Sequence, residues 1–357
     1  MNFLGWRFES GHAPVWMQAL IPFLAIGLTF GLTAALLLFS RANPFTAFYL
    51  MLIEPLTSTV SALEVLVKAT PLILTGLAIV FAFRSGYYNI GAEGQLYAGA
   101  LAAAWLGQLS LAHTLPGLLV IPLMLAVSFA AGMAWAWAPA WLRTRLAVDE
   151  VVTTLLLNSV MLYLINAVLN TWWLDPVTNW PQSPRLAPAA EFFVIIPRSR
   201  VHLGFLIGLL VMVIMWWILT RTALGLRLRA VGLNKDAARF MGVRVERLVF
   251  VAALVSGGIA GLAGVSEVAG IHHRLLEDIS PGFGYSGIIV ATLGALNPFG
   301  AGLAALFIAL IEVGGQTVSR QMGVPSFLAD VVQATLLLVT LALLLLTNVR
   351  IRRVKRA

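Results

Sequence analysis

The sequence predicts an all-α polytopic membrane protein with about ten transmembrane helices. Of the 357 residues, 60% are hydrophobic and only 11% are charged, and the mean hydropathy is +0.92. A soluble domain carries about 25% charged residues, and one water-facing globule cannot bury this much apolar side chain. A soluble enzyme, a nucleic-acid-binding module and a disordered scaffold therefore fit poorly, and no nucleic-acid partner is expected.

Apolar runs that are long enough to cross a bilayer recur along the chain. A membrane core is crossed by about 20 apolar residues in a helix. The first run is too long for the apolar part of a cleaved signal peptide and lacks a small-residue cleavage site. The third is short and rich in glycine and the eighth is shorter still, so whether these two cross the membrane fully is left open. The predicted spans are 17–39, 63–83, 89–107, 115–138, 148–170, 202–220, 248–271, 284–296, 299–318 and 327–348.

The distribution of basic residues indicates the orientation. Most of the 23 Lys and Arg residues fall on the side of the N-terminus when the spans are drawn in order. Because Lys and Arg concentrate in cytoplasmic loops, both termini and the 221–247 segment, called here the basic loop, are predicted to be cytoplasmic. The polar, proline-rich 171–201 segment is then an external loop. Residues 1–357 are predicted to form a single transmembrane domain.

The basic loop is predicted to contain one short helix between glycine hinges. Asn234 is a favourable helix N-cap, Ala237 and Ala238 fall inside the helix, and Gly242 ends it in a left-handed turn. Gly232 precedes the cap. Two interpretations fit this pattern: a helix that docks into a groove of a partner protein, and a basic segment that lies against anionic lipid headgroups.

Polar side chains within the apolar segments form a second group of candidates. Glu93 is the most informative, because a carboxylate within a membrane is costly and usually faces a cavity or a partner. Asn89 and Gln95 flank it, and Asn158 lies in the fifth predicted span. One interpretation is that these four side chains line a substrate path. The other is a hydrogen-bonded network that fixes a broken helix against its neighbours.

Glycine patterns suggest close packing and a possible internal repeat. Gly257 and Gly261 are four residues apart, a spacing that lets helices approach closely, and packing within the chain is favoured over a seam between subunits. The 86–91 segment can be laid over the 282–287 segment, and each precedes a short helix of small residues. Such a pair in two halves of a chain is typical of repeats around a transport site.

No catalytic or metal-binding motif is apparent. The chain has no cysteine, which excludes thiolate chemistry and Cys-ligated metals. His272 and His273 are adjacent and therefore point in different directions, so a metal site is not predicted there. The sequence also lacks a phosphate-binding Gly-x-x-x-x-Gly-Lys-Ser/Thr loop, and an intramembrane enzyme is disfavoured because no span carries a catalytic motif.

Three segments in order resemble one family. Residues 232–243, followed by 256–264, resemble the EAA-type coupling loop of ABC importer permeases, in the branch for branched-chain amino acids, simple sugars and nucleosides. The 83–95 segment ends in Asn-Ile-Gly-Ala-Glu-Gly-Gln, which is similar to a signature of the nucleoside and simple-sugar members. The 282–287 segment is similar to a third family segment. The resemblance covers about 60–345, and the chain length resembles the longer permease subunit of the nucleoside systems.

The resemblance implies roles and partners. Gly232, Asn234, Ala237, Ala238 and Gly242 would belong to a coupling helix that is seated in a cytoplasmic ABC ATPase. A second permease subunit would complete the pathway, and an extracytoplasmic substrate-binding protein or lipoprotein would deliver a nucleoside or simple sugar. ATP and magnesium would bind the ATPase, so this chain is predicted to be a non-enzymatic subunit of the bacterial inner membrane without a cofactor of its own.

Two other transport functions remain as alternatives. An ion-coupled secondary transporter would need a proton or sodium site, for which Glu93, Glu267 and Glu312 are the deep carboxylates. For Glu267 we favour a charge near the outer interface. An ABC permease for branched-chain amino acids is the other alternative, because the family resemblance extends to that cargo.

Overall fold

The computed structural model describes residues 2–3, 6–10, 15–39, 42–325, 327–347 and 349–353. Within these residues the chain is mostly helical, with three short strands at its two ends. The strands are β1 (Asn2–Phe3), β2 (Trp6–Ser10) and β3 (Val349–Arg353). The helices are α1 (Val15–Phe39), α2 (Pro44–Leu52), α3 (Glu54–Thr57), α4 (Thr59–Arg84), α5 (Ala92–Gln108), α6 (Ser110–Thr114), α7 (Gly117–Leu146), α8 (Glu150–Thr171), α9 (Leu203–Arg221), α10 (Ala223–Leu233), α11 (Lys235–Phe240), α12 (Val245–Glu267), α13 (Phe283–Leu293), α14 (Pro298–Met322) and α15 (Leu328–Thr347).

The all-α membrane fold predicted from the sequence is confirmed. In the described part of the chain, seven helices are long and apolar enough to cross a membrane, namely α1, α4, α7, α8, α9, α12 and α14. Two shorter apolar helices, α13 and residues Leu328–Leu344 of α15, add to them, as does the 17-residue α5. Each of the ten predicted spans therefore coincides with a helix.

Two local predictions were wrong. The third segment does not begin as a helix at residue 89, because α5 starts at Ala92 after an irregular stretch. The basic loop contains two helices rather than one, since α10 continues from residue 223 to 233 and is followed at once by α11. Gly232 lies inside α10 and is not a hinge. Helix α10 forms because the 223–233 segment is rich in leucine, alanine and arginine, which are good helix formers.

Residues 56–309 form the larger of two compact units. Helix α4 is its centre: 89% of its most apolar window is buried, against 22% for α7, α8 and α9. Helix α12 is 67% buried and packs against α4, α5 and α7. The helices that are exposed on most of their surface present apolar side chains there, as expected of faces that contact lipid.

Glycines let α12 approach α5 and α7 closely. A side chain at Gly99 of α5 would collide with the backbone of Gly261, and one at Gly257 would collide with the backbone of Gly132 in α7. The pair at 257 and 261 therefore serves packing within the chain, as the spacing predicted.

Residues 1–55 and 310–357 form the other unit. Its three strands make an antiparallel sheet in the order β1-β2-β3, in which Trp6 pairs with Arg353 and Ser10 with Val349. Because β2 precedes α1 and β3 follows α15, both chain ends lie on the same side of this unit. That this side faces the cytoplasm remains a prediction.

Candidate functional site

An irregular stretch separates α4 from α5. Helix α4 ends at Arg84, whose Nε donates a hydrogen bond of 2.9 Å to the carbonyl of Leu296. The chain then turns at Gly86, which has a φ of +72° that favours glycine. The Oδ1 atom of Asn89 accepts a hydrogen bond of 2.9 Å from the N–H of Gly91, the N-cap of α5. This local bond stabilises the turn that starts the helix.

Asn89 and Gln95 form a hydrogen-bonded pair across this turn. Asn89 Nδ2 donates to Gln95 Oε1 at 2.8 Å, and to the hydroxyl of Ser256 in α12 at 2.9 Å. The Ser256 hydroxyl in turn donates to the carbonyl of Ala78 in α4 at 2.7 Å. The pair thus connects the start of α5 with α4 and α12.

Asn158 of α8 contacts the same stretch from the opposite side. Its Oδ1 accepts from the N–H of Gly94 at 2.9 Å, and its Nδ2 donates to the carbonyl of Ile90 at 2.9 Å and to the hydroxyl of Tyr285 at 3.1 Å. Thr154, one turn earlier in α8, accepts from the N–H of Ile90 at 3.2 Å. The backbone groups freed by the irregular stretch are therefore satisfied by α8.

Glu93 joins the first turn of α5 to the first turn of α13. Its Oε2 accepts a hydrogen bond of 2.6 Å from the N–H of Gly284. The first N–H groups of a helix have no partner within the helix and attract negative charge. The carboxylate lies at two such helix starts, which accounts for its burial.

The four predicted polar residues lie in one buried site, here called the polar cluster: Asn89, Glu93, Gln95 and Asn158. None is more than 2% exposed, and their hydrogen bonds go to other parts of the same chain. The sequence-based prediction omitted Ser256 and Tyr285 as partners. Both lie in the segments that carry the family resemblance, which was the signal available for them. The arrangement fixes α5 against α8, α12 and α13.

The basic loop has the local structure predicted around α11. The Oδ1 atom of Asn234 accepts from the N–H groups of Asp236 and Ala237 at 3.0 and 2.9 Å, as an N-cap should. Gly242 follows the helix with a φ of +81°. Asn234 begins α11 by accepting from its first N–H groups, and Gly242 ends the turn after α11 by adopting a left-handed conformation.

A hydrophobic core joins the basic loop to the irregular stretch. Ala238 of α11 is fully buried in a cluster with Tyr87, Val231, Val245 and Val249. The core thus includes residues from α11, from the stretch after α4, from α10 and from α12. Movement of α11 relative to the membrane helices would have to disturb this packing.

The tip of the loop carries exposed apolar side chains. Leu233 is 88% exposed and Phe240 is 94% exposed, and Met241 is also exposed. Exposed apolar residues grouped at one surface are typical of a protein interface.

The internal repeat does not hold in the proposed register. Gly86 and Gly282 both have positive φ, in agreement with the overlay. However, the overlay aligns Gly91, the N-cap of α5, with Gly287, whereas α13 already begins at Phe283.

The remaining candidates lie apart from the polar cluster. Glu267 is buried with an oxygen 3.8 Å from His272 Nε2, and His273 Nδ1 is 3.8 Å from Glu191. The adjacent histidines therefore approach different carboxylates. Over the described residues, no group of three or more His, Cys, Asp or Glu side chains is arranged to hold a metal ion.

These features define a polytopic helical membrane protein whose buried helices are broken at a polar cluster and packed on a short helix of the basic loop. The family model described as branched-chain amino acid transport system / permease component matches residues 61–345, and the chain belongs to this family. It is therefore an ABC transporter permease and a multi-pass inner-membrane protein, as the resemblance implied. The ion-coupled secondary transporter is not favoured.

Three relatives are similar over most of their length. A glucose ABC transporter permease protein of Haloferax volcanii is 35% identical, covering 91% of this chain and 87% of the relative. A guanosine ABC transporter permease protein of Bacillus subtilis is 36% identical, covering 77% and 79%. A nucleoside ABC transporter permease protein of Lactococcus lactis is 31% identical, covering 90% of both chains.

Proposed function

We propose that this chain is one transmembrane half of an ABC importer for nucleosides or simple sugars. The support for this cargo is the similarity to permeases named for guanosine, nucleosides and glucose. A second permease subunit supplies the other half of the pathway, and a separate ATPase hydrolyses ATP. Competition for uptake between a nucleoside and glucose distinguishes the two cargo classes.

The observation that carries the mechanism is the shared core of Ala238 and Tyr87. The exposed tip of the basic loop seats in the ATPase, and closure of the ATPase on ATP pushes α11. Because Ala238 and Tyr87 belong to the same core, this push reaches the stretch that leads to α5. The polar cluster then carries it to α8 and α13, so these helices move together and alternate the access of the pathway.

The polar cluster serves this movement as a rigid joint. Its donors and acceptors are bonded within the chain, which supports a role in holding α5, α8 and α13 rather than direct contact with cargo. Glu93→Gln distinguishes the two roles, because glutamine replaces one of the two accepting oxygens with a donating NH2 group in a site lined by N–H donors. A joint predicts lower thermal stability together with lower uptake, whereas a cargo contact predicts lower uptake at normal stability. Normal values of both would contradict either role.

The 171–201 loop is assigned to the external side of the membrane, where a substrate-binding protein or lipoprotein docks on it. The loop presents Trp172, Val177 and Trp180 as exposed apolar side chains. Such aromatic side chains are enriched at protein interfaces.

Site-directed crosslinking tests the coupling role directly. The natural chain has no cysteine, so each introduced thiol is unique. Phe240→Cys in the assembled transporter should crosslink to the ATPase and respond to ATP, whereas the control Val177→Cys should not. Absence of a crosslink at Phe240 and also at Leu233 and Met241 would contradict docking at this tip.

A further inference from the structure

Four arginines at one end of the larger unit have no partner for their charge. Arg145 ends α7, Arg227 lies in α10, and Arg244 and Arg247 are at the start of α12. All four are exposed, and in the described part of the chain they make no hydrogen bond or ion pair. Their charges are free to bind an anion.

The nearby carboxylates do not neutralise these arginines. Glu246 accepts from Arg239 at 2.5 Å, and Glu150 is bonded to Arg143 at 2.8 Å. Asp236 also bonds to Arg239, at 2.8 Å. The local charge around the four arginines therefore remains positive.

Two cavities lie on either side of Arg244 and Arg247. The first cavity has a volume of about 500 Å³. Arg227 lines it together with Arg244 and Arg247, and Leu224 and Val251 form its apolar wall. The second cavity has a volume of about 560 Å³. Arg145 lines it together with Arg244 and Arg247, and Trp141 and Phe250 form its apolar wall. Each cavity thus combines three guanidinium groups with an apolar side. Glu246 also lines the second cavity, but its carboxylate is bonded to Arg239.

The apolar walls continue along the membrane helices. Trp137 and Trp141 are one turn apart on α7 with stacked rings 6.1 Å apart, and Arg145 follows one turn later. On α12, Val251 lies one turn from Arg247. Trp141 is 40% exposed and Val251 is 42% exposed. An indole next to a basic residue at the end of a span is typical of the boundary between acyl chains and headgroups.

We propose that these two cavities bind the headgroups of anionic phospholipids, with the acyl chains lying along α7 and α12. The arginines contact the headgroup phosphate, because a guanidinium pairs well with phosphate oxygens. We assign these lipids to the cytoplasmic leaflet, and this assignment rests on the proposed function. The site links the lipid surface to the basic loop, since Gly242 and Val243 of that loop line the first cavity.

The ATPase is a less suitable occupant. Leu233 and Phe240, the most exposed apolar side chains of the basic loop, line neither cavity, although their neighbour Met241 lines the first. The cavities instead open beside membrane-spanning helices, whose exposed apolar side chains match acyl chains rather than a soluble protein. Soluble phosphate would use the arginines but not the apolar walls.

Native mass spectrometry of the assembled transporter tests the site. The complex is purified in a mild detergent and titrated with phosphatidylglycerol or with zwitterionic phosphatidylcholine. Arg244→Gln/Arg247→Gln should weaken phosphatidylglycerol binding about thirtyfold, because each basic residue near the surface contributes about a factor of five. The control Arg221→Gln/Arg229→Gln removes the same charge from the same loop outside the cavities and should change binding little.

Further arms separate the alternatives. Arg244→Lys/Arg247→Lys keeps the charge and should restore most of the binding, which excludes misfolding as the cause. Inorganic phosphate should not displace phosphatidylglycerol. Equal binding of both lipids, equal weakening by the control pair, displacement by phosphate, or loss of the ATPase with unchanged lipid binding would each overturn the proposal. Cargo uptake by wild-type vesicles without the ATPase would contradict the proposed function instead, and it leaves the lipid titration interpretable.

Discussion

Gly232 in α10 lies directly against the backbone carbonyl of Arg84 at the end of α4. A side chain at position 232 would collide with that oxygen and would lie 3.2 Å from the carbonyl carbon and 3.5 Å from the nitrogen of Gly86. The basic loop and the turn into the polar cluster are thus in backbone contact. Because backbone atoms cannot rotate away as a side chain can, this contact transmits displacement in either direction.

Gly232→Ala should therefore lower both stability and transport. The added methyl group forces α10 away from α4, and such overpacking typically costs about 1–3 kcal/mol. Thermal unfolding in detergent and ATP-dependent uptake in vesicles measure the two effects. The matched control is Gly31→Ala in α1, where no atom lies within 4 Å of the new methyl group. Equal behaviour of the two variants would show that the contact is unimportant.

Gly242→Val should uncouple transport while membrane insertion stays normal. A side chain at Gly242 meets no atom within 4 Å, so the effect comes from the positive φ alone. A left-handed conformation costs an L-residue about 1–2 kcal/mol, and β-branched residues tolerate it least. Uptake and ATPase retention are measured in parallel. Gly242→Asn should retain more uptake, because asparagine adopts this conformation more readily, and the opposite order would contradict this explanation.

Asn158→Ala should destabilise the polar cluster. The change leaves the buried N–H of Gly94 without its partner, at a cost of about 1–3 kcal/mol, and also removes the partner of the half-buried Ile90 carbonyl. The unfolding temperature of the purified permease is the measurement. Asn170→Ala is the control, because Asn170 is exposed and its side chain bonds only within its own helix, to the carbonyl of Asn166. Similar unfolding temperatures for both variants would contradict the assigned role of Asn158.

Asp175 should make the 171–201 loop sensitive to acid. Hydrogen bonds from the Thr178 hydroxyl at 2.7 Å and the Val177 N–H at 3.0 Å lower the pKa of this carboxyl. Because the pKa in the folded state lies below the unfolded pKa of about 3.9, the charged carboxylate stabilises the fold at pH values above about 3.9. This stabilisation is lost as the pH falls through the folded pKa.

The measurement compares wild type with Asp175→Asn. Wild type should unfold at the higher temperature at pH 6, and the difference should shrink as the pH falls below about 3.9 and through the lowered folded value. Thr178→Val removes the first hydrogen bond and should reduce the difference at pH 6. A difference that is the same at all pH values would contradict the assignment to the charged carboxylate.

Local features of the site were predictable from the sequence. The cap by Asn234 acts on N–H groups two and three residues away, and Gly242 needs only its own backbone conformation. Such interactions depend on neighbours in the chain, so residue type and spacing suffice to predict them. The same residues did not reveal α10, because the positive charges and the glycines favoured an irregular loop over a second helix.

Partners that are distant in sequence were not predictable in this way. Asn89 bonds to Ser256 across 167 positions, and Asn158 bonds to Tyr285 across 127. Both pairs depend on which faces of α5, α8, α12 and α13 meet. Apolar composition requires these helices to be buried or in contact with lipid, but it does not specify their neighbours.

The amino-acid sequence alone predicted a helical membrane protein and the positions of its membrane-spanning helices, because the insertion of apolar segments depends on their length and hydropathy. Its assignment as a permease came from the resemblance of three segments to one family. Only the tertiary structure decided that Glu93 lies at the start of α13, that Ala238 and Tyr87 share one hydrophobic core and that four arginines line two cavities. These relationships arise from close packing between distant segments, and close packing is a property of the assembled helices rather than of any one of them.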